Sequence, residues 1–350
     1  MTQKTVRAND VGYGNNKFTT SNLGKAADGS AQVGVFPSIV AKAKSTESVG
    51  DLFGLAQSNN IAVQANNANF IVGDTALNHT DGTSGRNLNP NFPISDPYLA
   101  LVRGSLYRMA VSAIDLLVVG LPMNTYNVHK DALRERLIGG HTIPNPYKKD
   151  RPNAGNQFSV EVKAARVLPQ PVGALIAYSM PRGLYGKVAK QTNLVLDVGY
   201  GTFDWFLAEG IVAQDARCGA YQGGVSALLM AVADHINPDL KAMTRILRDI
   251  DNALNGQDST FYAAGKDHNI SDFTSIVELK AQDQINAMLH SVKSMTDVRN
   301  VVLTGGGATI FKPIIEKMLP GLQLLVDENP IFSNVLGFQM YGEATISQSA

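Results

Sequence analysis

Short apolar runs that end on an acid and a glycine turn set the rhythm of this chain. The stretch TVRANDVGYGNNKFTTS places strand-like residues on both sides of a glycine turn, and AQVGVFPSIVA follows a polar bend, so a meander of three antiparallel strands is predicted. From Ser45 to Pro97 the chain is rich in Asn, Gly, Asp and Ser around the short pieces IAVQA and NFIVGD, which predicts a small inserted subdomain. SDPYLALVRGSLYRMAVS then carries apolar residues at helical spacing behind a Ser or Asp cap. IDLLVVGLP is an almost unbroken apolar run, as a buried strand between helices would be, and NVHKDALRERLIGG reads as a polar-faced helix stopped by Gly-Gly. The basic, proline-rich NPYKKDRPN reads as a solvated turn.

The second half repeats this plan. NLVLDVGYGTFDWFLAEGIVAQDARC is again strand, acid-glycine turn, strand, tight turn and strand, so the pentapeptide DVGYG stands at 10–14 and 197–201 at the same point of two similar units. Helical patterns run from Val225 to His235, Leu240 to Leu254 and Ser275 to Met295. RNVVLTGGGATIFKPIIEKML closes the series with strand, glycine turn and helix.

Composition changes the picture in three places. A chain of 350 residues exceeds what one growing core supports, so two lobes are expected. Its 30 basic and 30 acidic side chains cancel, which removes the broad positive field of a non-specific nucleic-acid binder; any link to DNA is expected to run through a partner. Cys218 is the single cysteine and is expected to be a small hydrophobe in a reducing cytoplasm. MTQKTVRAND lacks a signal-peptide core and no apolar run is long enough to cross a membrane, so a soluble, cytoplasmic protein is expected.

Glycine turns can point backbone N–H groups at an anion and leave room for a phosphate. Facing each other, the two DVGYG loops would clasp a polyphosphate, and Asp10 and Asp197 at their mouths would suit a hydrated Mg²⁺. One isolated copy reads better as a hairpin turn in which Asp caps and Gly supplies positive φ. VVLTGGGA shifts the balance: Gly305, Gly306 and Gly307 lie between a strand and a helix start, where phosphate is attracted and a flat ring can approach.

NDVGYGNNK, LDVGYGTFD and VVLTGGGAT resemble, in kind, order and spacing, the first phosphate loop, second phosphate loop and adenosine loop of the actin-like ATPase superfamily. RVLPQPVGALIAY looks like its first connecting helix, and PIFSNVLGFQMYGEA looks like the last helix of its bacterial and archaeal members; the likeness is greatest to the ParM or StbA plasmid-segregation proteins and their archaeal relatives. The resemblance implies an α/β fold of two lobes, each a ribonuclease-H-like sheet flanked by helices. The first lobe would span 1–165 with an insert at about 45–97 and be completed by a C-terminal helix at 331–350; the second would span 166–330 with a helical insert at about 220–295.

It further implies ATP and Mg²⁺ in the cleft, with Asp10 and Asp197 holding the metal's waters, Lys17 reaching the terminal phosphates and Gln170 orienting the attacking water. Gly12, Tyr13, Gly14, Asn15 and Asn16 would line the first loop, and Gly199, Tyr200, Gly201 and Thr202 the second. Gly223 and Gly224 would sit near the ribose, and Gly305, Gly306, Gly307 and Ala308 near the adenosine, with Arg245, Arg248 and Lys280 as candidates to grip the base. Asp204 is open between assisting the metal and a solvent-facing turn role. Two functions fit: a slow ATPase that assembles head to tail into filaments, with a possible DNA-binding adaptor, or a monomeric small-molecule kinase on the same fold. A kinase needs a carboxylate base beside its acceptor hydroxyl, and no separate motif supplies one.

Overall fold

Two mixed sheets are each built around a strand that is buried almost throughout, Val6–Val11 and Thr192–Val198. The computed structural model describes residues 3–43, 59–82, 86–151 and 153–348. Parts of the expected insert (45–58, 83–85), the end of the expected terminal helix (349–350) and residue 152 of the basic loop lie outside the described residues.

In the first sheet the strand order is Ala165–Pro169, Leu116–Leu121, Val6–Val11, Asn15–Thr19, Val33–Pro37. The first three run parallel and the last two fold back antiparallel as the predicted meander. The second sheet runs Leu324–Val326, Asn300–Thr304, Thr192–Val198, Thr202–Glu209, with Val212–Ala213 and Gly219–Gln222 both pairing with Thr202–Glu209. Each sheet therefore has a central strand with a parallel partner on one side and its own hairpin on the other, the ribonuclease-H-like arrangement occurring twice.

Helices cover both faces. Asp96–Met109 starts where Ser95 Oγ accepts from Tyr98 N at 3.4 Å, with Pro97 in the first turn where its missing N–H costs nothing. It packs over the first sheet and over the small sheet of the insert, ordered Ala41–Lys42, Ala68–Val72, Ile61–Ala65. Gly224–Ile236, Thr244–Leu254 and Thr274–Val292 share one apolar core with the second sheet. The expected helix from Leu240 is split: Pro238–Ala242 is a 3₁₀ turn and the helix proper begins at Thr244. ARVLP is likewise a strand, Ala165–Pro169, and the connecting helix begins only at Gln170, with Pro171 in its first turn. The hairpin of Gly139–Pro144 with Gln157–Val162 had no counterpart in the sequence reading.

Two helices form the seam between the lobes. Gln170–Ser179 packs Val172, Leu175 and Ile176 on Val195, Phe206 and Val302 of the second sheet. Ser333–Gln348 packs Val335 and Phe338 on Val6, Ala8, Leu116 and Val118 of the first. They cross at Gly173 and Gly337, where a Cβ on Gly337 would lie 1.8 Å from the Gly173 carbonyl oxygen. The crossing is backbone on backbone.

Candidate functional site

The two DVGYG loops face each other across the seam. Gly12 N donates to Asn15 O at 3.2 Å and Gly199 N donates to Thr202 O at 2.9 Å, so both turns close in the same way. None of the four loop glycines has a left-handed backbone, which removes positive φ as the reason for them. Gly12 and Gly199 face carbonyls of their own turns, whereas Gly14 and Gly201 are glycine because of what stands opposite. A Cβ on Gly14 would lie 2.6 Å from Tyr200 Cβ, and one on Gly201 would lie 2.6 Å from Tyr13 Cδ2. Each loop's tyrosine thus rests on the other loop's last glycine. Tyr13 is buried and stacked on Phe92 with ring centroids 5.8 Å apart, and burial pushes its hydroxyl pKa up to about 12.

The hairpin register places a partner seven residues after each aspartate. Asp10 lies across from Lys17, and Asp197 lies across from Asp204. In the first hairpin the pair is a partly buried ion pair, Lys17 Nζ to the buried Asp10 Oδ2 at 2.6 Å, while Gln170 Nε2 donates to Asp10 Oδ1 at 2.6 Å. In the second hairpin both members are acids. Burial, opposed by a hydrogen bond from Asn334 and reinforced by the nearby charge of Asp10, raises Asp197 to about 6. Burial and the charge of Asp197 raise Asp204 to about 7. Asp204 accepts from Met123 N at 3.0 Å, at the start of the first-lobe helix Met123–Leu137, so it caps a helix across the seam and is not a solvent-facing turn residue.

A cavity of about 480 Å³ opens between the loops. Of the residues expected at the site, all line it but Asn16, Asp204, Gly223, Gly224, Arg245, Lys280 and Ala308. Asn16 neighbours Lys17 on a strand and so faces the other way; its amide donates to Leu101 O and Ser105 Oγ, each at 2.9 Å, on the helix behind. Gly224 (φ +48) is buttressed against the second loop, where a Cβ would meet Gly199 O at 2.3 Å. Gly223 N donates to Gly201 O at 2.7 Å, Val225 N to Gly199 O at 3.0 Å and Ser226 N to Tyr200 O at 2.8 Å. This helix start therefore spends three of its N–H groups on holding the second loop. Ala308 is buried beneath the third glycine turn. In that turn Gly305 (φ +90) comes so close to the second strand that a Cβ would meet Val198 O at 2.4 Å and Asp197 Oδ1 at 2.6 Å. Arg248 lines the cavity; Arg245 instead reaches Asn78 Oδ1 at 3.4 Å, and Lys280 pairs with Asp283 at 3.3 Å.

Residues 8–173 match the family described as actin-like proteins, N-terminal domain, and residues 195–317 match the archaeal actin homologue MreB-like C-terminal domain. The chain belongs to the actin-like superfamily. Among solved structures this actin-like chain is similar to the archaeal actin homolog Ta0583, with 19% identity, 97% of this chain and 99% of that one covered, and a TM-score of 0.71. It is also similar to ParM in a 15-stranded filament from Clostridium botulinum, with 17% identity, coverage of 98% and 99%, and a TM-score of 0.72. Ta0583 in complex with ADP matches with 18% identity, coverage of 97% and 99%, and a TM-score of 0.70. No curated protein sequence matches. The fold of this actin-like protein is the two-lobed one of ParM and the actin homologues.

Among the lining residues that sequence reasoning missed are Arg86, Asp251 and Asn334. Arg86, from the first-lobe insert, sits 4.0 Å over the Tyr200 ring, donates from Nε to Gly14 O at 3.1 Å, and keeps a buried Nη1 without a partner. Asp251, on a second-lobe helix, is raised by burial and held down by Arg86. Asn334, in the first turn of the terminal helix, donates to Asp197 Oδ2 at 2.7 Å while its Oδ1 is buried and unpaired. Their signal lies in three-dimensional convergence, not in spacing.

The donor set of this actin-like protein fits a hydrated divalent cation. Among the described residues no group of three or more His, Cys, Asp or Glu side chains forms a metal cage. Two converging carboxylates and an orphaned amide oxygen remain, all acceptors. Magnesium keeps most of its waters and takes few protein ligands, and those waters are donors. Among the described residues no helix is long and apolar enough to cross a membrane.

Proposed function

We propose that this actin-like protein is a slow ATPase that binds ATP with Mg²⁺ between its lobes and assembles head to tail into filaments. The observation that carries this reading is the pair of matching loops turned on one cavity, where the two hairpins themselves bring three buried acids, Asp10, Asp197 and Asp204, and one lysine, Lys17. A site with that imbalance favours added positive charge. Bound magnesium would supply neutralisation of phosphate charge. Asp10 and Asp197 would hold its waters, with Asn334 Oδ1 as a further acceptor. Lys17, now paired to Asp10, would share its charge with phosphate oxygens.

Gln170 donates one amide N–H to Asp10, which orients its carbonyl oxygen for a water. An amide takes up no proton at neutral pH, so it positions the nucleophile and turnover is slow. Nucleotide in the cavity would touch both lobes and favour their closure, and closure would favour the contact between subunits. A ParM filament among the similar structures supports assembly, and an ADP complex of Ta0583 supports nucleotide as ligand. A cytoplasmic role in plasmid segregation through a DNA-binding adaptor is the setting we assign.

Sedimentation with ATP and Mg²⁺, compared with ADP, tests this. Nucleotide-dependent pelleting is expected. A protein that stays monomeric and phosphorylates a sugar would instead be the kinase, and absence of any purine nucleotide uptake in magnesium buffer would remove both readings.

A further inference from the structure

A second pocket, of about 400 Å³, lies at the open end of the first hairpin, away from the DVGYG loop. Lys4, Arg7 and Lys25 line it together with Thr5, Thr20, Ser21, Asn22, Gln3 and Gln32, and no acid does. In a chain whose charges cancel, three cations without a carboxylate make a local positive field. Arg7 is the floor. It sits within the central strand at 7% exposure, among the most buried charged groups of the protein.

Its hydrogen bonds account for only part of it. Nη1 donates to Val6 O at 2.7 Å and to Asn22 Oδ1 at 2.8 Å, which pins the turn, whereas Nε is buried with no acceptor. Glu343 is close enough to favour the charged guanidinium yet forms no ion pair with it within 4.0 Å, and its Oε1 accepts instead from Leu23 N and Gln339 Nε2, each at 2.8 Å. Among the described residues Arg7 and Lys25 form no ion pair within 4.0 Å, and Lys4 reaches only 4.0 Å from Asp115, which Lys163 holds at 2.8 Å. A neutral side chain would pin the turn as well; a buried cation with unused donors is costly unless an anion completes it.

We propose that this pocket is a phosphate site, taking free phosphate or a small phosphomonoester, with the Arg7 guanidinium at the floor and Lys4 and Lys25 at the rim. A planar guanidinium fork beside two ammonium groups suits a tetrahedral dianion better than a single carboxylate. The pocket is larger than a bare phosphate ion, which leaves room for a small ester. This site is separate from the interlobe cavity and does not depend on the function proposed there.

Equilibrium dialysis of the full chain against radiolabelled inorganic phosphate, with saturating ADP and Mg²⁺ present, tests it. Saturable uptake is expected that sulfate and glycerol 3-phosphate displace. Arg7→Met should weaken uptake roughly tenfold or more, as loss of a charge-assisted contact does. Lys25→Gln, at the rim where the fold does not depend on it, should weaken uptake several-fold, and Asp197→Asn should leave it unchanged. No saturable uptake, uptake indifferent to Lys25→Gln and Arg7→Met, or uptake abolished by Asp197→Asn would each overturn the proposal, the last by placing the ion in the interlobe cavity. Binding to phosphatidic-acid vesicles without uptake of the soluble esters would overturn it in favour of a lipid surface.

Discussion

Replacing Gly201 by Ala tests the interlock of the two loops directly. The new Cβ would stand 2.6, 2.8 and 2.9 Å from Cδ2, Cγ and Cβ of Tyr13. Ordinary contact needs about 3.4 Å or more, so one side must move by more than half an ångström. Tyr13 cannot yield cheaply, because it is buried and stacked on Phe92. Overpacking of this kind costs about 1–3 kcal/mol. The strain falls between lobes, so it should appear as easier opening of the loops rather than as loss of either core. Amide hydrogen exchange at 10–14 and 197–201 reads that opening, and the expected loss of protection is roughly 5- to 150-fold. In a Tyr13→Ala background the same glycine change should cost almost nothing, since its opponent is gone. Equal loss in both backgrounds would refute the reasoning, because the strain would then lie within the second loop.

Other expectations are independent of this one. Lys17→Met leaves Asp10 buried with only Gln170 as partner, and loss of one member of a partly buried ion pair should cost about 3 kcal/mol in urea unfolding. Asp197→Ala should abolish nucleotide turnover, and Gln170→Ala should slow hydrolysis in a phosphate-release assay while equilibrium binding of ATP stays largely intact; equal turnover of the Gln170 variant and wild type would misplace the water. Asp197 and Asp204 titrate near 6 and 7 when folded, above the ~4 of an unfolded aspartate, so the stability they contribute is present below about pH 4 and is lost as pH rises through 6 and 7. Thermal unfolding without metal should show this fall, Asp204→Asn should flatten it, and added magnesium should offset it at pH 8.

The strand, turn and strand around each DVGYG, and the late strand, triple glycine and helix, were legible because alternation and glycine are local signals. Asn16 shows a signal that was present and overlooked: two adjacent strand residues cannot both face one cavity, and Lys17 takes the inward place. Gly14 and Gly201 were legible as loop residues but not for their true reason, since the tyrosine that excludes a side chain comes from the opposite lobe, 186 and 188 positions away in the chain. Arg86, Asp251 and Asn334 carry no motif and meet only once both lobes are folded. Ala165–Pro169 was hidden because its strand runs without a break into Gln170, where Pro171 is suited to the first helical turn and leaves no gap in the apolar run.

The contact of Gly173 with Gly337 has a mechanical consequence. Helices that mesh through large side chains are keyed like gears, and turning one against the other means unseating each tooth. Here the two main chains touch directly and the Phe338 ring lies beside them, 2.6 Å from where a Cβ on Gly173 would stand, so a roll has that ring to move, while Leu175 keeps its helix fastened to the second sheet. Swinging one half against the other therefore means carrying that ring across Gly173, which makes Phe338 the catch of the joint.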